Sequence, residues 1–112
     1  MFAKKDENGF RAVLDGVSFK TLVHGEKTLL AEFHLDKGAV VPKHKHPHEQ
    51  TGYLVSGRMK FSLETGEERV VESGDSWCFA GDFEHGVEVL DDSLVIEVFS
   101  PVREEYLPNA PA

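Results

Sequence analysis

Three histidines fall within six residues, Lys43-His44-Lys45-His46-Pro47-His48, and a fourth, His85, follows the turn-rich stretch Phe79-Ala80-Gly81-Asp82-Phe83-Glu84. Neutral imidazole is a common ligand for divalent transition metals. On an extended strand, residues two apart point the same way and sit about 7 Å apart, so His44 and His46 share a face. Converging tilts bring two such rings to one ion at about 2.1 Å. Gln50 follows four residues later, and its side-chain carbonyl is a neutral oxygen donor. His44, His46, Gln50 and His85 therefore form a candidate site for one divalent transition ion. The donor set suits Zn, Ni, Mn, Fe or Co. A histidine-rich surface loop is the alternative that spacing alone leaves open. His24 and His34 have no partner pattern and read as solvent-facing or structural.

Such a site needs a scaffold that brings residues 44–50 and 85 together. The chain reads as strands and turns. Leu29, Ala31, Phe33 and Leu35 alternate against Leu30, Glu32 and His34. Met59, Phe61 and Leu63 alternate against Lys60, Ser62 and Glu64, and Leu94, Ile96 and Val98 against Val95, Glu97 and Phe99. A period of two marks strands. Turn signals stand at Asn8-Gly9, Asp15-Gly16, His24-Gly25, Asp36-Lys37-Gly38, Ser56-Gly57, Thr65-Gly66, Ser73-Gly74-Asp75 and Asp91-Asp92-Ser93. Short strands at this spacing predict an all-β sandwich or barrel. No segment carries a sustained helical stripe, and Val102 to Leu107 has room for one helical turn at most. The tail, residues 108–112, is expected to be flexible or docked as an extended arm.

The 112 residues suffice for a single domain, residues 1–112, with its core at about 29–100. A formal charge of −8 argues against nucleic acid and anionic membranes as partners. No apolar run approaches the roughly 20 residues that cross a bilayer. The charged start, with Lys4, Lys5, Asp6 and Glu7, lacks a signal-peptide pattern, so a cytoplasmic protein is expected. One cysteine, Cys78, excludes an intrachain disulfide and reads as a small buried apolar residue.

At the histidine cluster the sequence resembles the cupin superfamily. Its first motif is Gly, five residues, His-x-His, a short spacer, Glu, six residues and Gly. Gly38, His44-Lys45-His46, Gln50 and Gly57 keep every spacing, with Gln50 where Glu is usual. The second motif begins at Gly74 and reaches its histidine at His85, with Ala80, Asp82 and Val89 in place of the usual Pro, Gly and Asn. The resemblance implies a jelly-roll β-barrel around a metal ion. A narrower resemblance, to KdgF-type cupins, lies in His46-Pro47-His48-Glu49-Gln50-Thr51-Gly52-Tyr53, in Gly74-Asp75-Ser76-Trp77, and in residues 97–107. That family converts 4,5-unsaturated monouronates from pectin or alginate into linear keto forms. Carried over, its ligands are His44, His46, Gln50 and His85, and its C-terminal trio is Glu97, Phe99 and Arg103. Asp is usual at the position of Glu97. The resemblance also implies a homodimer.

Three neutral imidazoles and an amide leave the charge of a divalent ion undiminished. This favours an acidic small molecule despite the overall charge, and the ion polarises a bound oxygen as a Lewis acid. Glu97 is a candidate general acid or base. It faces solvent instead if Leu94, Ile96 and Val98 line the core. Arg103 is placed to anchor a substrate carboxylate, or to pair with Glu104 or Glu105 at the surface. Tyr53 and Phe99 are candidates to pack against a sugar. A metal-dependent dioxygenase and a non-catalytic small-acid-binding cupin are the competing readings.

Overall fold

The period-two runs become strands, and their apolar sides become one core. The computed structural model describes residues 1–108. Eight strands follow in order: β1 (Arg11–Leu14), β2 (Val17–His24), β3 (Leu29–Leu35), β4 (Val40–His44), β5 (Glu49–Leu63), β6 (Glu68–Glu72), β7 (Ser76–Phe79) and β8 (His85–Ser100). A single 3₁₀ turn, Glu104–Tyr106, follows them, as the short C-terminal segment allowed. No helix among the described residues is long and apolar enough to cross a membrane. The tail expectation falls, beyond Pro108, outside the described residues.

All strand pairs are antiparallel. The main path runs β1-β2-β3-β8-β5-β6, with β4 added on β8 and β7 on β5. The long strands β5 and β8 pair twice. Glu49–Leu54 pairs with Val95–Ser100, and Arg58–Leu63 with His85–Asp91. Register shifts between Leu54 and Met59 bend this ribbon, so its two halves enter opposite walls of a jelly-roll β-barrel. Gly57 makes the corner possible. Its φ is 115°, and a Cβ there would stand 2.2 Å from Ser93 Oγ and 2.6 Å from the Asp92 carbonyl oxygen.

This corner corrects two expectations. Ser56-Gly57 and Asp91-Asp92-Ser93 are not loops between strands but bends within β5 and β8. The cross-strand ladder continues through residues whose types favour turns. The region before residue 29 also holds more than a lead-in, because β1 and β2 extend the same sheet.

The core faces are those the alternation selected in β3 and β5: Leu29, Ala31, Phe33, Leu35, Met59 and Phe61 are buried. On β8 the inward residues are Val95 and Phe99, so Leu94, Ile96 and Val98 form the opposite face. Burying each large apolar side chain contributes about 1.5–3 kcal/mol. Cys78 departs from expectation and is exposed. It lies between the half-buried Trp77 and buried Phe79 on β7, and period two gives the inner face to those neighbours.

Candidate functional site

His44 ends β4, His85 begins β8, and the two are register partners. Their ring centroids are 4.7 Å apart. His46 lies beyond the strand. Pro47 cannot donate to a ladder, and the chain leaves β4 after His44. The expected shared strand face is therefore replaced by a loop that carries His46 to the same place. Asp82 N–H fixes that loop by donating to the His46 carbonyl at 2.7 Å. Close packing helps too, since a Cβ on Gly81 would stand 2.5 Å from the Pro47 carbonyl oxygen. Gln50 sits near the start of β5, between Phe79 on β7 and Phe99 on β8. His46, Gln50 and His85 are buried.

One donor atom from each of His44, His46 and His85 lies within 4.8 Å of the others, an arrangement that could hold a metal ion. The surroundings favour that use. The Nδ1 atoms of His44 and His85 sit 2.9 and 2.8 Å from the Pro42 and Phe83 carbonyl oxygens. Such contacts fix the ring and leave Nε2 as the free donor. His85 Nε2 is buried without any hydrogen-bond partner. Burial pushes His46 down to about 4 and also lowers His85, so both rings are neutral at pH 7, the form that ligates. Gln50 Oε1 lies 2.9 Å from His46 Nε2. The residues present thus fit a divalent ion.

Glu97 occupies the inner face of β8. Its carboxylate accepts a hydrogen bond from Gln50 Nε2, which turns the Gln50 carbonyl towards His46. Burial pushes Glu97 up to about 7, against the pull of that hydrogen bond. A cation bound next to Gln50 would act in the opposite direction. Glu97 pairs across the sheet with Gly52 on one side and Ala31 on the other, so its row carries little side-chain bulk. The Trp77 indole fills the space above Gly52, where a Cβ would stand 2.3 Å from the ring.

A cavity of about 90 Å³ runs into the barrel here, bordered by His44, His85, Gln50, Glu97, Phe99 and Arg103, with Tyr106 at the Arg103 side. Arg103 pairs with Glu105 and also borders the cavity. Its Nε donates to Glu105, yet the side chain is only 15% exposed and reaches the cavity. Its guanidinium lies 5.1 Å from the Phe99 ring centre and 4.3 Å from that of Tyr106. Tyr53 is not brought to this cavity. It alternates with the buried Gln50, Gly52 and Leu54, faces outward and is 49% exposed. Tyr106 is a polar lining residue that the sequence did not single out. Its signal was Tyr106 itself, three residues after Arg103 in a segment able to make one helical turn.

A family model described as "Cupin domain" matches residues 31–100. The pectin degradation protein KdgF of Dickeya dadantii (strain 3937) is 32% identical over 104 residues, covering 91% of this chain and 94% of that protein. The solved structure of KdgF from Halomonas sp. is 36% identical with a TM-score of 0.88, over 96% of this chain and 100% of that one. An RmlC-like cupin from Shewanella frigidimarina NCIMB 400 is 25% identical with a TM-score of 0.87, over 95% of each chain. The chain belongs to the cupin family, as a member similar to the KdgF proteins.

Proposed function

We propose that this chain is a metal-dependent isomerase that opens the ring of a 4,5-unsaturated monouronate, derived from pectin or alginate, to a linear keto acid. The observation that carries this reading is one cavity bordered by His44, His85, Gln50, Glu97, Phe99 and Arg103. The relative named for pectin degradation supports the substrate class.

His44, His46, Gln50 and His85 hold one divalent ion, Zn, Ni, Mn, Fe or Co. When bound it supplies Lewis-acid polarisation of a substrate oxygen. Arg103 receives the substrate carboxylate through its terminal nitrogens, since Nε is engaged by Glu105. Phe99 gives an apolar wall to the sugar. Glu97 moves the proton. It takes the proton of the anomeric hydroxyl as the bond from C1 to the ring oxygen breaks, leaving an aldehyde at C1 and an enolate at C5. It then returns that proton to C4 as the enolate becomes a ketone. One proton leaves and one arrives, so the reaction is a balanced isomerisation. Tyr53, on the outer face, has no part in it.

The test incubates metal-loaded protein with unsaturated galacturonate and follows the double-bond absorbance. Accelerated loss is expected, and no acceleration over buffer with metal content verified would overturn the reading. Retention of the full rate by Glu97→Ala would remove the proton-transfer role. We also propose a homodimer, on the family resemblance. Light scattering should return twice the 12.5 kDa chain mass.

A further inference from the structure

Four aromatic rings pack together beside the cavity, Phe33, Phe99 and Tyr106 at its wall and Phe19 behind them. The Tyr106 ring lies 4.3 Å from Phe19, 5.9 Å from Phe33 and 5.3 Å from Phe99. Three of the four are phenylalanines, so packing here needs no hydroxyl. Tyr106 alone carries one, and it borders both the cavity and the Arg103 guanidinium. Buried tyrosine hydroxyls usually find a partner. That of Tyr106 makes no hydrogen bond among the described residues and is not one of the fully enclosed unpartnered atoms, so it is open to the cavity, where the carboxylates of Glu97 and Glu105 and the cations Arg103 and Arg11 act on it.

Its backbone, by contrast, is tightly held. Tyr106 N–H donates to the Arg103 carbonyl at 2.9 Å. Thr21 Oγ1 donates to the Tyr106 carbonyl, and Arg11 Nη2 to that of Glu105 at 2.6 Å. Strands β1 and β2 thus clamp the 3₁₀ turn, and the ring stack fixes the side chain. A fixed donor without an internal partner, at the wall of a cavity and next to a guanidinium, is preorganised for a ligand oxygen.

We propose that the Tyr106 hydroxyl is a substrate-binding group that donates a hydrogen bond to the carboxylate of an acidic sugar received by Arg103. The ligand class rests on the function proposed above; the available donor does not. Burial holds the hydroxyl protonated, with its titration pushed up to about 12, so it donates throughout the working range.

Tyr106→Phe removes only the oxygen and leaves the stack. Isothermal titration of the metal-loaded proteins with galacturonate, which lacks the double bond and does not react, reads binding apart from turnover. The variant is expected to bind about tenfold more weakly, with unchanged metal content and unfolding temperature. Equal affinity overturns the assignment, as does the absence of galacturonate binding by the unmodified protein. The two readings separate in the combined result. Weaker binding by the variant, with no ring opening by either protein, retains Tyr106 and rejects the reaction. Ring opening with equal affinity and equal KM retains the reaction and rejects Tyr106.

Discussion

The corner in the middle of the β5–β8 ribbon and the site formed where its ends meet treat buried polar groups in opposite ways. At the corner, Ser93 is buried, yet its hydroxyl is satisfied twice. It donates to the Asp91 carbonyl at 2.7 Å and accepts from Arg58 N–H at 3.2 Å. At the metal-ligand cluster, His85 Nε2 is buried with no partner. A buried polar group without a partner costs about 1–3 kcal/mol. The fold meets that cost within the chain where the group serves the fold. It leaves the cost standing where a ligand can meet it. The unpartnered His85 Nε2 and the doubly satisfied Ser93 hydroxyl thus mark the part of this barrel that could bind an ion and the part that only bends.

Four measurements break or sharpen that contrast. The largest effect is expected for His85→Ala. It should abolish metal binding in elemental analysis and lower ring-opening activity by more than the 10–100-fold that loss of a supporting group costs. The metal-free variant is expected to lose about 2 kcal/mol in urea unfolding, because removing the buried ring opens a cavity against Phe79 and strips the Phe83 carbonyl of its partner. Metal content equal to that of the parent would remove His85 from the ligand set and end the contrast.

Gly57→Ala should affect stability alone. A Cβ 2.2 Å from Ser93 Oγ, on a backbone with φ 115°, is expected to cost about 3 kcal/mol in urea unfolding. The activity per folded molecule should stay near the parent value. Removing the ion by chelation comes next. Restoring it at about 100 times its dissociation constant should return about 2.7 kcal/mol to the unmodified protein. It should return nothing to His85→Ala in the same thermal melts. The smallest effect is expected for Ser93→Ala, which strips Arg58 N–H of its partner. A loss of about 1 kcal/mol is expected, with metal content unchanged. A metal-dependent effect here would show that the corner and the site are not independent.

Much of the site was legible because it follows from local spacing. His44, His46 and Gln50 lie within seven residues, and His85 carries a second motif at a fixed offset. The inner faces of β3 and β5 were legible for the same reason, since period two survives any arrangement of the sheet. The corner was not legible. Gly57 and Ser93 look like turn residues locally, and only their packing against each other makes them a bend in a continuous ladder. Tyr53 and Cys78 were misplaced because the sequence shows that residues alternate, not which of two faces looks inward. Glu97 posed the same ambiguity, and the packing of Val95 and Phe99 resolved it.

The sequence by itself determined the strand periods, the donor types and the neutral character of the histidine–glutamine set. These properties belong to residues and to short spacings. Only the tertiary structure decided that His44 and His85 are cross-strand partners, that Glu97 orients Gln50, and that Arg103 lies against Phe99 and Tyr106 at one cavity. Each of those contacts joins residues from different elements or from opposite sides of a bond-rotated turn. They exist only because the β5–β8 ribbon folds over at Gly57 and brings its two walls around a single core.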